Sequence, residues 1–320
     1  MVPEQQELSP LAKAARDEVR AFFDKHHEEL LRTRETRRYY FDYLGRVLKA
    51  RIAPGQRVLE IGCGSGDLLA ATSPSFGVGI DLSSKAVATA RQRHPECHFI
   101  EGAACDAQVL SQTRGPFDVI LIVNTLTFLP DVRRLIDALH QVSHAKTRIV
   151  IYSYSRLWQP VLRFAEATGL KRRPPEDAWI PQEEVRTMMH LADWDVIRED
   201  RQIIFPIGIP LVSEALNRWV GHLPLFDSLS LMFGMIARPR LTRHPGALRS
   251  EPSVSVVIPC RNEEGHIAPM VARLPKLAPN SEYIFVEGGS KDGTEAAIKA
   301  AIAANPDKPL RFLKQPGKGK

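Results

Sequence analysis

From residue 57 onward the chain alternates between short apolar runs and amphipathic stretches. The apolar runs Arg57–Ile61, Gly77–Asp81, Cys97–Glu101, Phe117–Val123 and Arg148–Tyr152 are of strand length and rich in Val and Ile. Asp67–Ala71, Lys85–Arg93 and Val132–Ser143 between them carry helical spacing. Strands alternating with helices of this length predict a mostly parallel sheet covered on both faces. Before this region, Leu11 to Leu48 is charged and periodic and reads as one or two helices, ended by Pro54-Gly55. After it, Trp194–Phe205 and Leu229–Ala237 read as strands, with a helix at Val212–Val220. A second strand–helix series follows: Val254–Pro259, Glu264–Leu274, Glu282–Glu287, Thr294–Ala303 and Leu310–Lys314. Arg238-Pro-Arg-Leu-Thr-Arg-His-Pro-Gly, between the two series, reads as a linker.

Composition narrows the class only slightly. With 320 residues, 44% hydrophobic and 25% charged, the chain is globular and long enough for two domains. Cys63, Cys97, Cys105 and Cys260 form no C-x-x-C pair, which argues against a zinc ribbon or a disulfide framework and suits a reducing, cytoplasmic setting. The first residues lack the basic and apolar regions of a secretory signal. Ile203 to Ile236 is the most apolar stretch. Glu214, Asn217, Arg218, His222, Asp227 and three prolines interrupt it, so it does not read as a membrane span, while peripheral contact with a membrane surface stays open.

The net charge of +6 is unevenly placed. Residues 1–237 hold 29 basic and 29 acidic side chains, a poor grip for nucleic acid. The excess lies in residues 238–252, with four arginines against Glu251, and in residues 253–320, with ten basic against seven acidic.

The strongest chemical signal is Val58-Leu-Glu-Ile-Gly-Cys-Gly-Ser-Gly-Asp67. An apolar strand runs into Gly62-x-Gly64-x-Gly66 and then a helix, so backbone can approach a ligand closely. The next strand ends in Asp81, whose carboxylate can accept two hydrogen bonds from a ribose diol. The third glycine of a dinucleotide site is replaced by Asp67, and Glu60 at the strand end suits an ammonium-bearing ligand better than a phosphate.

This block resembles motif I of the class I S-adenosylmethionine-dependent methyltransferases, E/D-x-G-x-G-x-G, with Asp81 as the ribose acid. Gly115-Pro-Phe-Asp118-Val-Ile-Leu-Ile-Val-Asn124 resembles that family's fourth strand, and Trp194–Ala237 suits its terminal antiparallel hairpin. The resemblance implies an α/β fold: a Rossmann-like seven-stranded sheet with N-terminal helices. It implies S-adenosylmethionine as cofactor, with Glu60, Gly62, Cys63, Gly64, Gly66, Asp81, Leu82, Asp106 and Asn124 as its contacts. Asp106 is the substitute for an acid common where Ala103 stands; a backbone carbonyl is the alternative at the adenine. The family's methyl donor is already activated, so no catalytic side chain is assigned. Asn124, Tyr152, Tyr154, His26 and His27 are candidates for a base, each weighed against a packing role. Arg38-Tyr-Tyr-Phe-Asp-Tyr43 reads either as a lid helix or as an ordinary amphipathic face. His140 and His144, four apart on an expected helix, lack a third ligand and read as a solvated face.

Three later blocks, Val256-Val-Ile-Pro259-Cys-Arg-Asn-Glu263, Glu287-Gly-Gly-Ser-Lys-Asp292-Gly-Thr and Gly317-Lys318-Gly, resemble the N-terminal half of family 2 glycosyltransferases of the GT-A fold. The resemblance places Pro259, Glu263, Glu287, Asp292 and Lys318 at a nucleotide sugar, with Gly288 where a second acid is common. The family's D-x-D, base and acceptor half would follow these blocks, and the sequence stops at Lys320 before them. The expectation is a truncated α/β segment that does not transfer sugar.

The expected organisation is therefore residues 1–52 as N-terminal helices, 53–237 as the methyltransferase domain, 238–252 as linker and 253–320 as a partial glycosyltransferase domain. The fusion points to a small-molecule, glycan or lipid-linked acceptor. The other readings are a non-catalytic cofactor-binding module and an RNA methyltransferase; the latter is disfavoured by the neutral charge and by Asn124-Thr-Leu-Thr where N/D-P-P-Y/F would stand.

Overall fold

A computed structural model describes residues 9–169, 172–175, 178–209, 212–218, 228–243, 253–275, 277–278 and 280–316. The chain divides into two compact units, Met1–His244 and Pro245–Lys320.

The first unit holds helices α1 (Pro10–Lys25), α2 (His27–Thr36), α3 (Arg38–Arg51), α4 (Asp67–Ala71), α5 (Ser84–Arg93), α6 (Ala107–Ser111), α7 (Val132–Ala138), α8 (Gln159–Ala167), α9 (Gln182–Leu191) and α10 (Val212–Arg218). Its strands are β1 (Arg57–Ile61), β2 (Phe76–Asp81), β3 (His98–Glu101), β4 (Phe117–Val123), β5 (Ser143–Tyr154), β6 (Trp194–Gln202) and β7 (Met232–Pro239). They form one sheet in the order β3-β2-β1-β4-β5-β7-β6. The first five strands pair in parallel, and β7 is antiparallel to both β5 and β6. This is the Rossmann-like seven-stranded methyltransferase order that the sequence implied.

β1, β4 and β5 lie in the middle of the sheet, and β4 and the Ile149–Ile151 part of β5 are apolar on both faces because two layers bury them. One layer centres on Ile61, Ile120, Leu135, Met189 and Trp194. The other centres on Leu44, Leu69, Val87, Leu121 and Tyr152 and includes Tyr40 of α3. Trp194 anchors β6 by donating its indole N–H to the Ile136 carbonyl at 3.2 Å. Side-chain caps set the helix starts: Ser83 accepts from Ala86 N–H at 3.1 Å, and Asp131 from Arg134 N–H at 2.8 Å.

Several expectations are corrected. The N-terminal segment is three helices, broken at His26 and Arg37 without glycine or proline. Helices α6, α8 and α9 were not anticipated. β6 stops at Gln202 because Ile203 adopts φ 61° and the next two N–H groups turn to Asn217 Oδ1, at 2.8 and 2.9 Å. β7 runs to Pro239, and Arg240 and Arg243 pair with Asp195 and Asp193 at 2.9 and 2.7 Å, so the start of the expected linker belongs to the first unit. His140 and His144 share no helix: a 3-10 turn, Leu139–Val142, precedes β5, which begins at Ser143. His140 stacks on Trp194 and His144 lies 3.1 Å from Asp118.

The second unit contains β8 (Ser253–Cys260), α11 (Glu264–Arg273), β9 (Asn280–Glu287), α12 (Thr294–Ala304) and β10 (Leu310–Lys314). The strands form a parallel sheet in the order β10-β9-β8. Ile267, Val271, Phe285 and Ile298 are the centre of its core.

Candidate functional site

The C-terminal ends of β1, β2 and β4 meet at the glycine loop. Gly62, Gly64 and Gly66 adopt φ 71°, 52° and 78°. A Cβ on Gly62 would lie 2.3 Å from Thr125 Oγ1, and one on Gly66 would lie 2.7 Å from the Phe99 ring. Gly64 faces open space, with nothing within 4 Å of where its Cβ would be. The outer two glycines are thus required by contact and conformation, and the middle one leaves backbone exposed to a ligand. Thr125 pins the loop by donating to the Ile61 and Val123 carbonyls, each at 3.0 Å.

Asp81, at the end of β2, holds the loop from the other side. Its Oδ2 accepts from Gly64 N–H at 2.8 Å and its Oδ1 from Ser83 N–H at 2.9 Å. Burial raises its pKa, and those two N–H groups oppose the shift. Leu82 beside it is half-buried.

Glu60 lies beneath the loop, 2% exposed, and its Oε2 accepts Leu69 N–H of α4 at 3.0 Å. Burial pushes its pKa to about 8, against the pull of Arg34 and of that N–H. Cys63 is buried, and burial raises its thiol pKa well above 9.0. Asp106 is exposed and caps α6, accepting Gln108 N–H at 2.9 Å.

Asn124 ends β4 with φ 55°. Its Nδ2 donates to Tyr40 Oη of α3 at 2.8 Å, while its Oδ1 is buried without a partner among the described residues. Tyr40 donates onward to Met232 Sδ at 3.1 Å and stacks on Tyr154, centroids 6.4 Å apart. Burial lifts the Tyr40 phenol well above 10.0. Asn124 and Tyr154 are therefore brought together by α3. Tyr152 and His27 are not at this centre. Tyr152 is buried in the sheet, with burial raising it to about 12. His27 lies 2.7 Å from Thr89 Oγ1 of α5. His26 packs on the Phe22 ring and lies 3.4 Å from Glu29.

The N-terminal helices complete the rim with residues that no local pattern marked. Asp24 accepts Ser83 Oγ–H at 2.7 Å and Lys85 N–H at 3.3 Å, holding α1 at the start of α5. Phe23 meets Phe128 edge-on at 5.1 Å. Arg34 reaches Asp67 at 2.9 Å, and His94 approaches the same carboxylate at 2.8 Å.

The residues present fit an S-adenosyl group. The loop is open at Gly64, a carboxylate stands at the second strand, and an amide oxygen without a partner among the described residues lies at the fourth.

In the second unit, two turns at the strand ends are laced together. Asn262 Oδ1 accepts Lys291 N–H at 2.9 Å, and Glu263 N–H donates to Thr294 Oγ1 at 2.7 Å. Glu287 is buried and accepts Ser290 N–H, which lowers its pKa. Asp292 accepts from the Thr294 hydroxyl and N–H, with its pKa lowered chiefly by that hydroxyl. Pro259 is exposed at the end of β8, and Glu263 lies 2.7 Å from His266 Nδ1. Lys318 falls outside the described residues.

Comparison with known proteins gives each unit a family match. Residues 58–145 match the methyltransferase domain family, and residues 255–320 match glycosyl transferase family 2. The ubiquinone/menaquinone biosynthesis C-methyltransferase UbiE of Ralstonia pickettii is 24% identical over 134 residues, covering 40% of this chain and 55% of that protein. Its Burkholderia mallei counterpart is 22% identical over the same length. The chain thus spans about half the length of these curated relatives. Among solved structures, a Thermotoga maritima S-adenosylmethionine-dependent methyltransferase superposes with a TM-score of 0.54 at 14% identity, covering 69% of this chain and 99% of that one. A putative methyltransferase of Haloferax volcanii, solved with its Trm112 activator, gives 0.51 at 16% identity, with 69% and 97% covered. The glycine loop, the strand order and the two family matches together give the first unit a methyltransferase domain with the fold of S-adenosylmethionine-dependent methyltransferases, joined to a segment that matches glycosyl transferase family 2.

Proposed function

We propose that the first unit transfers a methyl group to a lipid-linked or glycan acceptor at the rim formed by the ends of β1, β2 and β4 and by α3. The observation that carries the reading is the glycine loop bound through Gly64 to the Asp81 carboxylate. Bound S-adenosylmethionine supplies a methyl group already activated on a sulfonium centre. The chain's own work is then to bind, orient and exclude water. Gly62, Gly64 and Gly66 give the backbone its approach, Asp81 and Leu82 receive the ribose, and Cys63 packs behind the loop. Asn124, whose buried Oδ1 has no partner among the described residues, stands at the end of β4 for the ligand to meet. Glu60 supports the loop through α4. Asp106 stands near the adenine edge.

Tyr40, Tyr154 and Trp158 give the acceptor side an aromatic wall, since all three belong to or pack on one apolar cluster. The joined glycosyltransferase segment supports an acceptor built on a sugar or a lipid carrier. Pro259, Glu263, Glu287, Asp292 and Lys318 are proposed to face a nucleotide sugar.

The test is calorimetric titration of S-adenosylhomocysteine into the whole chain, wild type beside Asp81→Ala. Micromolar binding, weakened by about 1–3 kcal/mol in the variant, is the expected result. No binding by folded wild type would withdraw the cofactor reading.

A further inference from the structure

The acceptor side of the sheet carries apolar surface that nothing among the described residues of the first unit covers. β5 and β6 run in the same direction, since both are antiparallel to β7. The segments that leave them therefore lie at the same rim as the glycine loop. The segment after β5 begins with a 3-10 turn, Arg156–Trp158, and continues as α8. Trp158 and Leu162 face inward onto the cluster that holds Tyr40. Leu157, Val161 and Phe164 follow at the spacing of one helix face and point outward, 54%, 54% and 68% exposed. No residue of α8 is buried. The segment after β6 exposes Ile207, Ile209 and Val212 in the same way, and its Gly208 lies against Tyr39 of α3.

The charge beside this ridge is basic. By sequence, residues 156–173 hold Arg156, Arg163, Lys171, Arg172 and Arg173 against Glu166, a net of +4 that Glu176 and Asp177 then reduce to +2; Lys171, Glu176 and Asp177 lie outside the described residues. Arg156, Arg163 and Arg173 are exposed, while Arg172 pairs with Glu29 at 2.9 Å. An outward apolar face flanked by arginines suits the interface of an anionic bilayer, where the apolar residues enter the acyl boundary and the guanidinium groups meet phosphates. No helix among the described residues is long and apolar enough to cross a membrane, so the contact would be peripheral.

We propose that α8, with the segment around Ile207 and Ile209, docks the methyltransferase rim on an anionic membrane surface and brings a lipid-anchored acceptor to Tyr40 and Asn124. The docking rests on the lipid-linked reading of the acceptor for its purpose, but not for its test. The whole chain is sedimented with vesicles of phosphatidylcholine alone and of phosphatidylcholine with phosphatidylglycerol. Wild type is expected to bind the anionic vesicles selectively. Val161→Glu with Phe164→Glu is expected to lower that binding about tenfold or more, because each side chain loses an apolar resting place. Both positions are solvent-exposed, and unchanged S-adenosylhomocysteine binding by the variant shows that the fold is intact. Absence of vesicle binding by a wild type that binds S-adenosylhomocysteine overturns the proposal, as does equal binding by the variant. A self-associating wild type that the double variant renders monomeric, with no vesicle binding, overturns it in favour of a second copy on this face. Vesicle binding without S-adenosylhomocysteine binding supports the docking and counts against the cofactor reading instead.

Discussion

Asp81 and Gly64, seventeen positions apart, are joined by a 2.8 Å hydrogen bond from the glycine N–H to the carboxylate Oδ2. The acid proposed to receive the ribose is also the clasp of the glycine loop. Asp81→Asn turns an amide NH2 toward one of the two N–H donors it now accepts from. The expected result is a loss of about 1–3 kcal/mol in unfolding free energy along with weaker S-adenosylhomocysteine binding, read by urea unfolding and calorimetry. A variant with wild-type stability would show that the clasp has no structural weight.

Gly62→Ala combines a φ of 71° with a Cβ placed 2.3 Å from Thr125 Oγ1. Strain and overlap together should cost about 2 kcal/mol or more. Thermal unfolding measures the loss. Adding Thr125→Ser, which removes the nearby methyl group but keeps the hydroxyl, should recover little of it, since the closest atom is Oγ1.

Tyr40→Phe removes the hydroxyl that joins Asn124 to Met232. Asn124 already has an unpartnered Oδ1, and the change strands its Nδ2 as well. A destabilisation of about 1–3 kcal/mol is expected by urea unfolding. Asn124→Leu introduced on top of it should cost less than the same change in wild type, because the partner is already gone.

Glu60 predicts a pH effect. Its carboxyl is raised by burial from 4.5 to about 8. Between those values the folded chain keeps a proton that the unfolded chain has released, so this residue makes stability fall as pH rises through the window, and level above it. Glu60→Gln keeps an acceptor for Leu69 N–H and removes the titration. Urea unfolding at pH 5.5 to pH 8 (roughly the span of the window) should show a shallower decline for the variant. Parallel curves would mean that Glu60 is charged throughout.

Asp24→Ala removes the acceptor that ties α1 to Ser83 and Lys85. A loss of about 1 kcal/mol is expected, as for other capping interactions. If the tie also positions Asp81 through Ser83, S-adenosylhomocysteine affinity falls with it; calorimetry and unfolding on the same variant report both.

The sequence by itself determined the alternation of strands and helices, because central strands buried on both faces must be apolar throughout. β1 and β4 occupy the spans that their apolar runs predicted. It also marked the glycine loop and Asp81, since φ > 0 and close approach demand glycine and leave a visible spacing. What lay beyond it were relationships between distant residues. The breaks at His26 and Arg37 carry no glycine or proline, and they let His27 meet Thr89 and Tyr40 meet Asn124. The end of β6 was set by Asn217, fifteen residues on, and the histidines expected on one helix were separated by the start of a strand. Only the tertiary structure could join Tyr40 to Asn124 or Asp24 to Ser83. A hydrogen bond between side chains remote in sequence leaves no period in either segment, whereas burial on a strand or a helix repeats at the interval that its geometry requires.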